Sequence, residues 1–258
     1  MLPNWVNVAG DQANEPVFLI SGLGGTAAFW APVQQGLAAS NFLVSYDQPG
    51  CGARPHKSCE VSISGLARDA AEVIRSVFGN RCVTVIGHST GGAIAQQIAV
   101  TEPDLVKRLV LSGTWLVADE YMQALFRYRQ ALLSRAPDLA VGLTEILSQE
   151  PADFKCERLS PQPLAGIEIE NNLNRIDALL AFDGTASVAQ VLVKTLVLGA
   201  RNDRVVPVAL QKALHSELPN SEINIFPDGG HFFPKHRPEN FISVVGSWLA
   251  SEDDLKAR

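Results

Sequence analysis

Short apolar runs alternate with helical patterns along most of the chain. The apolar runs carry no polar alternation, which is typical of strands buried on both faces of a parallel sheet. They predict strands at residues 17–21, 42–46, 83–86, 109–111, 195–198 and 223–226. Helical spacing predicts helices at residues 62–78, 90–101, 207–217 and 238–250. This alternation indicates an α/β protein with a doubly wound, mostly parallel sheet.

One long segment interrupts the alternation. Residues 115–183 show helical patterns but no convincing strand. We therefore predict a helical cap at residues 115–183, inserted into a core domain of residues 1–114 and 184–258. Ligands of doubly wound sheets bind at the carboxyl ends of the strands, so functional residues are expected directly after each strand.

Composition narrows the function classes. The 258 residues are 47% hydrophobic and carry a formal net charge of −6, with no basic cluster. The chain can bury a large core, but it lacks the concentrated positive field that nucleic-acid binding requires. No apolar stretch is long enough to span a bilayer, and the first residues lack the features of a signal peptide. We expect a cytoplasmic protein without a membrane or nucleic-acid partner. Whether the chain forms a homodimer stays open.

The cysteines point to no special chemistry. Their spacing matches neither a metal-ligand signature nor a dense disulfide framework. The residues concerned are Cys51, Cys59, Cys82 and Cys156. No metal and no cofactor are therefore expected.

A sharp strand-to-helix turn is predicted at Gly87-His-Ser-Thr-Gly-Gly92. The pattern is G-x-S-x-G, in which the small flanking residues permit the turn and the serine projects above the sheet edge. The partial positive charge of the helix N-terminus favours an anion that develops there. Ser89 is therefore the predicted nucleophile.

A serine hydroxyl is a weak nucleophile and needs a neighbouring base. His231 directly follows the last predicted strand, so it should lie at the same edge of the sheet as Ser89. On that ground we favour it over the other histidines, which are His56, His88, His215 and His236.

The base also needs an acidic residue that fixes its tautomer. Asp203 follows the penultimate predicted strand, and it gives the chain order Ser, Asp, His that accompanies the G-x-S-x-G turn. Asp119 is the alternative acid, and Asp228 is interpreted as a turn residue.

Acyl transfer further requires two donors for the developing oxyanion. The backbone N–H of Thr90 is one candidate, and the glycine-rich loop at residues 21–25 offers the N–H of Leu23 as the second. A glycine-rich loop can also cradle a phosphate. The absence of a Lys-Ser/Thr pair and of G-x-G-x-x-G disfavours nucleotide binding here.

Together these motifs resemble those of the α/β-hydrolases over nearly the whole chain. Within that family the chain is similar to the aminoacrylate hydrolases of pyrimidine breakdown and to enol-lactone hydrolases. The similarity rests on residues 20–25 with Trp30, and on residues 46–52, 111–116 and 171–179. The chain departs from the family in having Ser21-Gly22 where His-Gly is common and Pro49 where an arginine is common. The resemblance implies an α/β-hydrolase fold and hydrolytic activity.

The cap is expected to line a pocket for a small-molecule substrate. The predicted apolar wall consists of Trp115, Phe126 and Phe182, together with Leu116 and Tyr128.

Arginines in the cap could bind a substrate carboxylate bidentately. Arg127 is included among the predicted substrate-binding residues. Arg129 lies on the opposite side of the same predicted helix, so at most one of the two faces the pocket, and Arg54 is a third candidate.

Because of these arginines, the expected substrate is a small ester, lactone or enamine that bears a carboxylate. Ser89 is expected to attack the carbonyl carbon of an ester or lactone. One alternative is a cofactor-independent C–C bond hydrolase or dioxygenase, in which His231 abstracts a substrate proton. Another is a ligand-binding member of the fold without catalysis, because fold alone does not fix function.

Overall fold

The computed structural model describes residues 2–55, 61–155 and 164–251. The candidates His56, Cys59 and Cys156 lie outside these residues. The described residues form a seven-stranded sheet with the order β1-β3-β2-β4-β5-β6-β7. The strands are β1 (Val6–Ala9), β2 (Glu15–Ile20), β3 (Asn41–Tyr46), β4 (Val83–His88), β5 (Val106–Ser112), β6 (Thr195–Ala200) and β7 (Ser221–Phe226).

Strand direction confirms the predicted sheet. Strands β2 to β7 pair in parallel, and only β1 is antiparallel, to β3. The sequence analysis missed β1, which has four residues of which only Val6 is buried.

The helices that follow the strands begin and end close to the predicted residues. Ser62 caps α2, because its hydroxyl accepts a hydrogen bond from the Gly65 amide at 3.0 Å. The short helices α1 and α8 were not predicted. The helices are α1 (Ala31–Leu37), α2 (Ile63–Phe78), α3 (Thr90–Thr101), α4 (Glu120–Arg135), α5 (Pro137–Ser148), α6 (Gly166–Ala181), α7 (Val208–Glu217), α8 (Phe233–His236) and α9 (Pro238–Leu249).

Apolar side chains cover both faces of the sheet. Successive residues of a strand point to opposite faces, so Val17 and Leu19 of β2 pack with α1 and α9, whereas Phe18 and Ile20 pack with α2 and α3. Burial on both sides explains why β2 to β6 read as continuous apolar runs. The prediction of a strand buried on both faces at residues 223–226 is wrong, because β7 lies at the sheet edge and buries only Phe226.

In the described part of the chain between β5 and β6 lie the α-helices α4, α5 and α6. The two ends of this segment meet, because Val117 pairs with Asp183 and the Gly184 amide donates to the Leu116 carbonyl at 2.9 Å. The segment therefore leaves the sheet and returns to it at neighbouring points, and the division into a cap at residues 115–183 and a core domain stays a prediction. Within the described ranges, no helix combines the length and the apolar character that crossing a membrane requires.

Candidate active site

Ser89 occupies a strained turn between β4 and α3. Its φ of 55° is the only positive value at a non-glycine residue in the described part of the chain. A β-carbon at Gly87 would lie 2.2 Å from the Gly91 carbonyl oxygen, and one at Gly91 would lie 2.2 Å from that of Ile20. The turn therefore tolerates only glycine at both places. Such strain is found where a side chain must be held in one exposed orientation.

Three side chains from separate loops form a hydrogen-bonded chain at the carboxyl edge of the sheet. His231 Nε2 lies 3.0 Å from Ser89 Oγ, and His231 Nδ1 lies 2.7 Å from Asp203 Oδ2. All three residues are buried, with exposed fractions of 3–6%. Because an ionised carboxylate only accepts hydrogen bonds, Nδ1 carries the proton and Nε2 is free to accept one from the serine.

The Asp203 carboxylate is fixed by its second oxygen. Oδ1 accepts hydrogen bonds from the amides of Val205 and Val206 at 2.8 and 2.9 Å. These bonds hold the carboxylate in the orientation that aims Oδ2 at the imidazole.

The loop after β2 lies directly against the serine. A β-carbon at Gly22 would be 3.0 Å from the Ser89 Cβ and 3.5 Å from its Oγ. The next amide, that of Leu23, has no hydrogen-bond acceptor among the described residues. Thr90 opens α3, where the first amides of a helix have no acceptor within the helix. The N–H groups of Leu23 and Thr90, both near Ser89, thus have no hydrogen-bond acceptor among the described residues.

Arg175 and Gln48 hold this loop by its carbonyl groups. Gln48 Nε2 donates to the Ser21 carbonyl at 2.8 Å, and Arg175 Nε donates to the Leu23 carbonyl at 2.8 Å. Arg175 Nη2 also donates to Gln48 Oε1 at 2.5 Å and to the Gly22 carbonyl at 3.4 Å. Because Gln48 and Arg175 donate to these three carbonyl groups, the loop keeps a fixed orientation beside Ser89.

A second histidine packs against the site. His88 Nδ1 lies 3.1 Å from Ser112 Oγ, and the His88 ring stacks on Phe29 at 4.8 Å and lies 4.9 Å from the ring of His231. Burial, and then the neighbouring His231, hold the pKa of His88 well below its usual value. The His88 side chain is therefore uncharged at neutral pH.

Comparison with known proteins places this geometry in a family. The sequence profile described as "Alpha/beta hydrolase family" matches residues 17–244. The chain belongs to the alpha/beta hydrolase family. It is accordingly an enzyme, a hydrolase of that family, as the sequence analysis predicted.

Individual relatives cover nearly the full chain. RutD of Azorhizobium caulinodans, assigned as a carbamate hydrolase, is 31% identical over 245 residues and 90% of each chain. RutD of Serratia proteamaculans, with the same assignment, is 31% identical over 258 residues and 96% of each chain.

Solved structures of this family share the fold. The enol-lactonase of Burkholderia xenovorans LB400 superposes with a TM-score of 0.83 at 18% identity, over 95% of this chain and 96% of that one. A thermophilic esterase of Thermogutta terrifontis gives a TM-score of 0.82 at 20% identity, over 95% and 92%. These likenesses confirm the predicted α/β-hydrolase fold.

A cavity of about 400 Å³ in this hydrolase is lined by Ser89 and His231 on the core side and by residues of the inserted helices on the other. Of the predicted wall, Phe126 lines the cavity. Trp115 and Phe182 do not, because both are buried in the apolar core instead. Leu116 is buried there too, and Tyr128 is 77% exposed on the surface.

The prediction for Arg127 is wrong, since its side chain is exposed on the outer face of α4. Arg129, two residues further along, lines the cavity. Two residues correspond to about 200° around a helix, so only one of the pair can face inward. Arg54 is buried outside the cavity and pairs with Asp69 at 2.6 Å.

The alternative acid, Asp119, and the predicted turn residue, Asp228, both have other partners. Asp119 caps α4 by accepting a hydrogen bond from the Met122 amide at 2.8 Å. Asp228 accepts a hydrogen bond from Arg237 Nε at 3.0 Å. Neither is the carboxylate bonded to His231.

The sequence analysis missed the role of Arg175 as an anchor of the loop at residues 21–25. A signal was present in the spacing, because Arg175 lies four residues after Asn171 and four before Leu179, which are both buried. Residues four apart share one face of a helix, so Arg175 falls on the buried face of α6. An arginine on an apolar helix face needs a partner, and the carbonyls of this loop provide it.

Proposed function

We propose that this hydrolase cleaves a small ester, lactone or related acyl substrate, such as a carbamate, through an acyl-enzyme on Ser89. One observation carries the proposal. The hydrogen-bonded chain of Ser89, His231 and Asp203 opens into a cavity of about 400 Å³ beside two available amides. A cavity of this size suits a small molecule.

In the first step, Ser89 Oγ attacks the carbonyl carbon while His231 Nε2 takes its proton. The Asp203 carboxylate, 2.7 Å from Nδ1, stabilises the resulting imidazolium. The amides of Leu23 and Thr90 donate to the oxyanion, and the imidazolium then protonates the leaving group. Water, deprotonated by His231, releases the acid by the same steps in reverse.

Names of relatives support a small acyl substrate. Two of them are assigned as carbamate hydrolases, and a structural neighbour is an enol-lactonase. Carbamates, lactones and esters all present a carbonyl carbon with an oxygen or nitrogen leaving group, so one serine mechanism serves each. The helices α4 to α6 supply the side of the cavity that would select among them.

The test is labelling with a fluorophosphonate probe, followed by mass spectrometry and a panel of chromogenic esters graded by acyl length. Wild type should be labelled on Ser89, and Ser89→Ala should lose both labelling and ester turnover. Ser148→Ala is the matched control, since Ser148 lines the same cavity but donates to the Thr144 carbonyl at 2.7 Å. Full ester turnover by Ser89→Ala would refute the proposal.

The same variants distinguish the C–C bond hydrolase and dioxygenase alternative. On a diketone substrate, that chemistry would survive Ser89→Ala but not His231→Ala.

A further inference from the structure

Arg129 is a cation on the cavity wall, and no described residue provides it with an acidic partner. It projects from α4 with its guanidinium 5.1 Å from the ring centroid of Phe126, which lines the same cavity. Its Nη2 donates to the Thr144 hydroxyl at 2.9 Å. Its Nε is buried without a hydrogen-bond acceptor, and no carboxylate of the described residues lies within ion-pair distance.

A buried guanidinium without a counter-charge is costly unless something else supplies the acceptors. Burial lowers the pKa of Arg129 only to about 10, so the side chain stays positively charged at neutral pH. The planar guanidinium offers donors in a fixed fork, the geometry that matches a carboxylate. The one bonded acceptor, a neutral hydroxyl, leaves most of that capacity unused.

Two other charged residues line the cavity within the described ranges, and neither provides the missing acceptor. Glu145 accepts a hydrogen bond from Gln149 Nε2 and is not within ion-pair distance of Arg129. Lys235 is an exposed cation, which adds positive potential at the cavity and no acceptor. The cavity therefore combines a serine nucleophile with a cation that has no acidic partner among the described residues.

We infer that Arg129 is an anion subsite and that the substrate of Ser89 carries a carboxylate in addition to its scissile acyl group. The inference rests on the proposed function for the scissile group and adds the second group that the cavity recognises. The substrate class is then a half ester, or a lactone or carbamate that bears an acid.

Paired chromogenic substrates test this directly. The 4-nitrophenyl half esters of succinic and glutaric acid are compared with 4-methylpentanoate and 5-methylhexanoate esters, in which two methyl groups replace the carboxylate oxygens. The measured quantity is the ratio of kcat/KM for the acidic ester to that for its neutral counterpart. Arg129→Gln should lower the ratio about 10- to 100-fold, the loss expected for charge-assisted hydrogen bonds. Arg129→Lys should lower it less, because the charge remains without the fork.

Arg127→Gln is the matched control, since Arg127 lies on the same helix with its side chain exposed. Its ratio should equal that of wild type. Turnover of the neutral esters reports whether each variant is folded. A ratio that is the same in Arg129→Gln and wild type overturns the inference, even when Ser89 is confirmed as the nucleophile.

A binding measurement separates this inference from the proposed function. Glutarate should raise the melting temperature of wild type and of Ser89→Ala but not of Arg129→Gln, because a ligand that binds the native state stabilises it. This result would support the subsite even if Ser89 performed no ester cleavage. If Arg129 serves only to pair with Glu145 after a small movement, Arg129→Gln and Glu145→Gln will melt at similarly lowered temperatures. Glutarate will then have no effect on wild type, and the inference fails.

Discussion

Replacement of Arg175 by methionine should weaken the fold and the reaction together. Arg175 is 1% exposed and donates to the carbonyls of Gly22 and Leu23 and to the side chain of Gln48. Methionine fills a similar volume but leaves the Leu23 carbonyl and Gln48 Oε1 without these donors. Each buried acceptor without a partner costs about 1–3 kcal/mol. The substitution also removes a buried charge that has no carboxylate partner among the described residues, and this offsets part of the sum, so we expect a net loss of about 2–4 kcal/mol.

For a chain of this length, that loss lowers the melting temperature by roughly 5–15 °C. Because the Leu23 amide would no longer be held beside Ser89, kcat for a reactive ester should also fall, by about 10- to 100-fold. Differential scanning calorimetry and steady-state kinetics measure the two effects, with the exposed Arg127→Met as control. The reasoning is refuted if Arg175→Met melts within 2 °C of wild type, a margin of about 1 kcal/mol or less, and keeps its kcat.

Three further predictions follow from the site. In Asp203→Asn, the amide oxygen should accept from the two backbone donors and the NH₂ group should face His231 Nδ1. The imidazole must then carry its proton on Nε2, so it cannot take the proton of Ser89. The kcat for esters should fall about 10³- to 10⁴-fold, and a loss below tenfold would contradict this. The pKa of His88 is lowered in the folded state, so below about pH 6.5 the unfolded chain binds the extra proton and stability falls as pH falls, by up to about 1.4 kcal/mol per pH unit. In urea denaturation at pH 7.5 and 5.5, His88→Gln should lose less stability than wild type, and an equal loss would count against the assignment. Gly91→Ala should destabilise the protein by several kcal/mol, on the order of a severe steric clash, whereas Gly166→Ala, with no atom within 4 Å of the added carbon, should melt at or slightly above the wild-type temperature.

Much of the core was predictable because burial on both faces of a parallel sheet leaves a continuous apolar run in the sequence. The two edge strands differ: β1 presents only Val6 to the core and carries too little pattern to be recognised, and β7 buries only Phe226. The Ser, Asp and His candidates were predictable because each directly follows a strand, and parallel strands bring their carboxyl ends to one edge.

The cavity wall was less predictable. Periodicity places Arg127 and Arg129 on opposite sides of α4 but does not say which side faces the core. Aromatic residues near the cap boundary, Trp115 and Phe182, are equally suited to the core and to a pocket wall, and they lie in the core. How the inserted helices sit on the sheet depends on long-range packing that no local pattern records.

The contact between Arg175 on α6 and the loop at residues 21–25 has a consequence for protein engineering. Exchanging the inserted segment between relatives is an obvious route to new substrate preference, and the adjacent ends at Val117 and Asp183 would make the graft simple to join. A transplanted segment without an arginine at the position of Arg175 would, however, leave the recipient's loop unsupported. Chimeras should therefore carry this residue across, or selectivity gained from the donor will come with a slower enzyme.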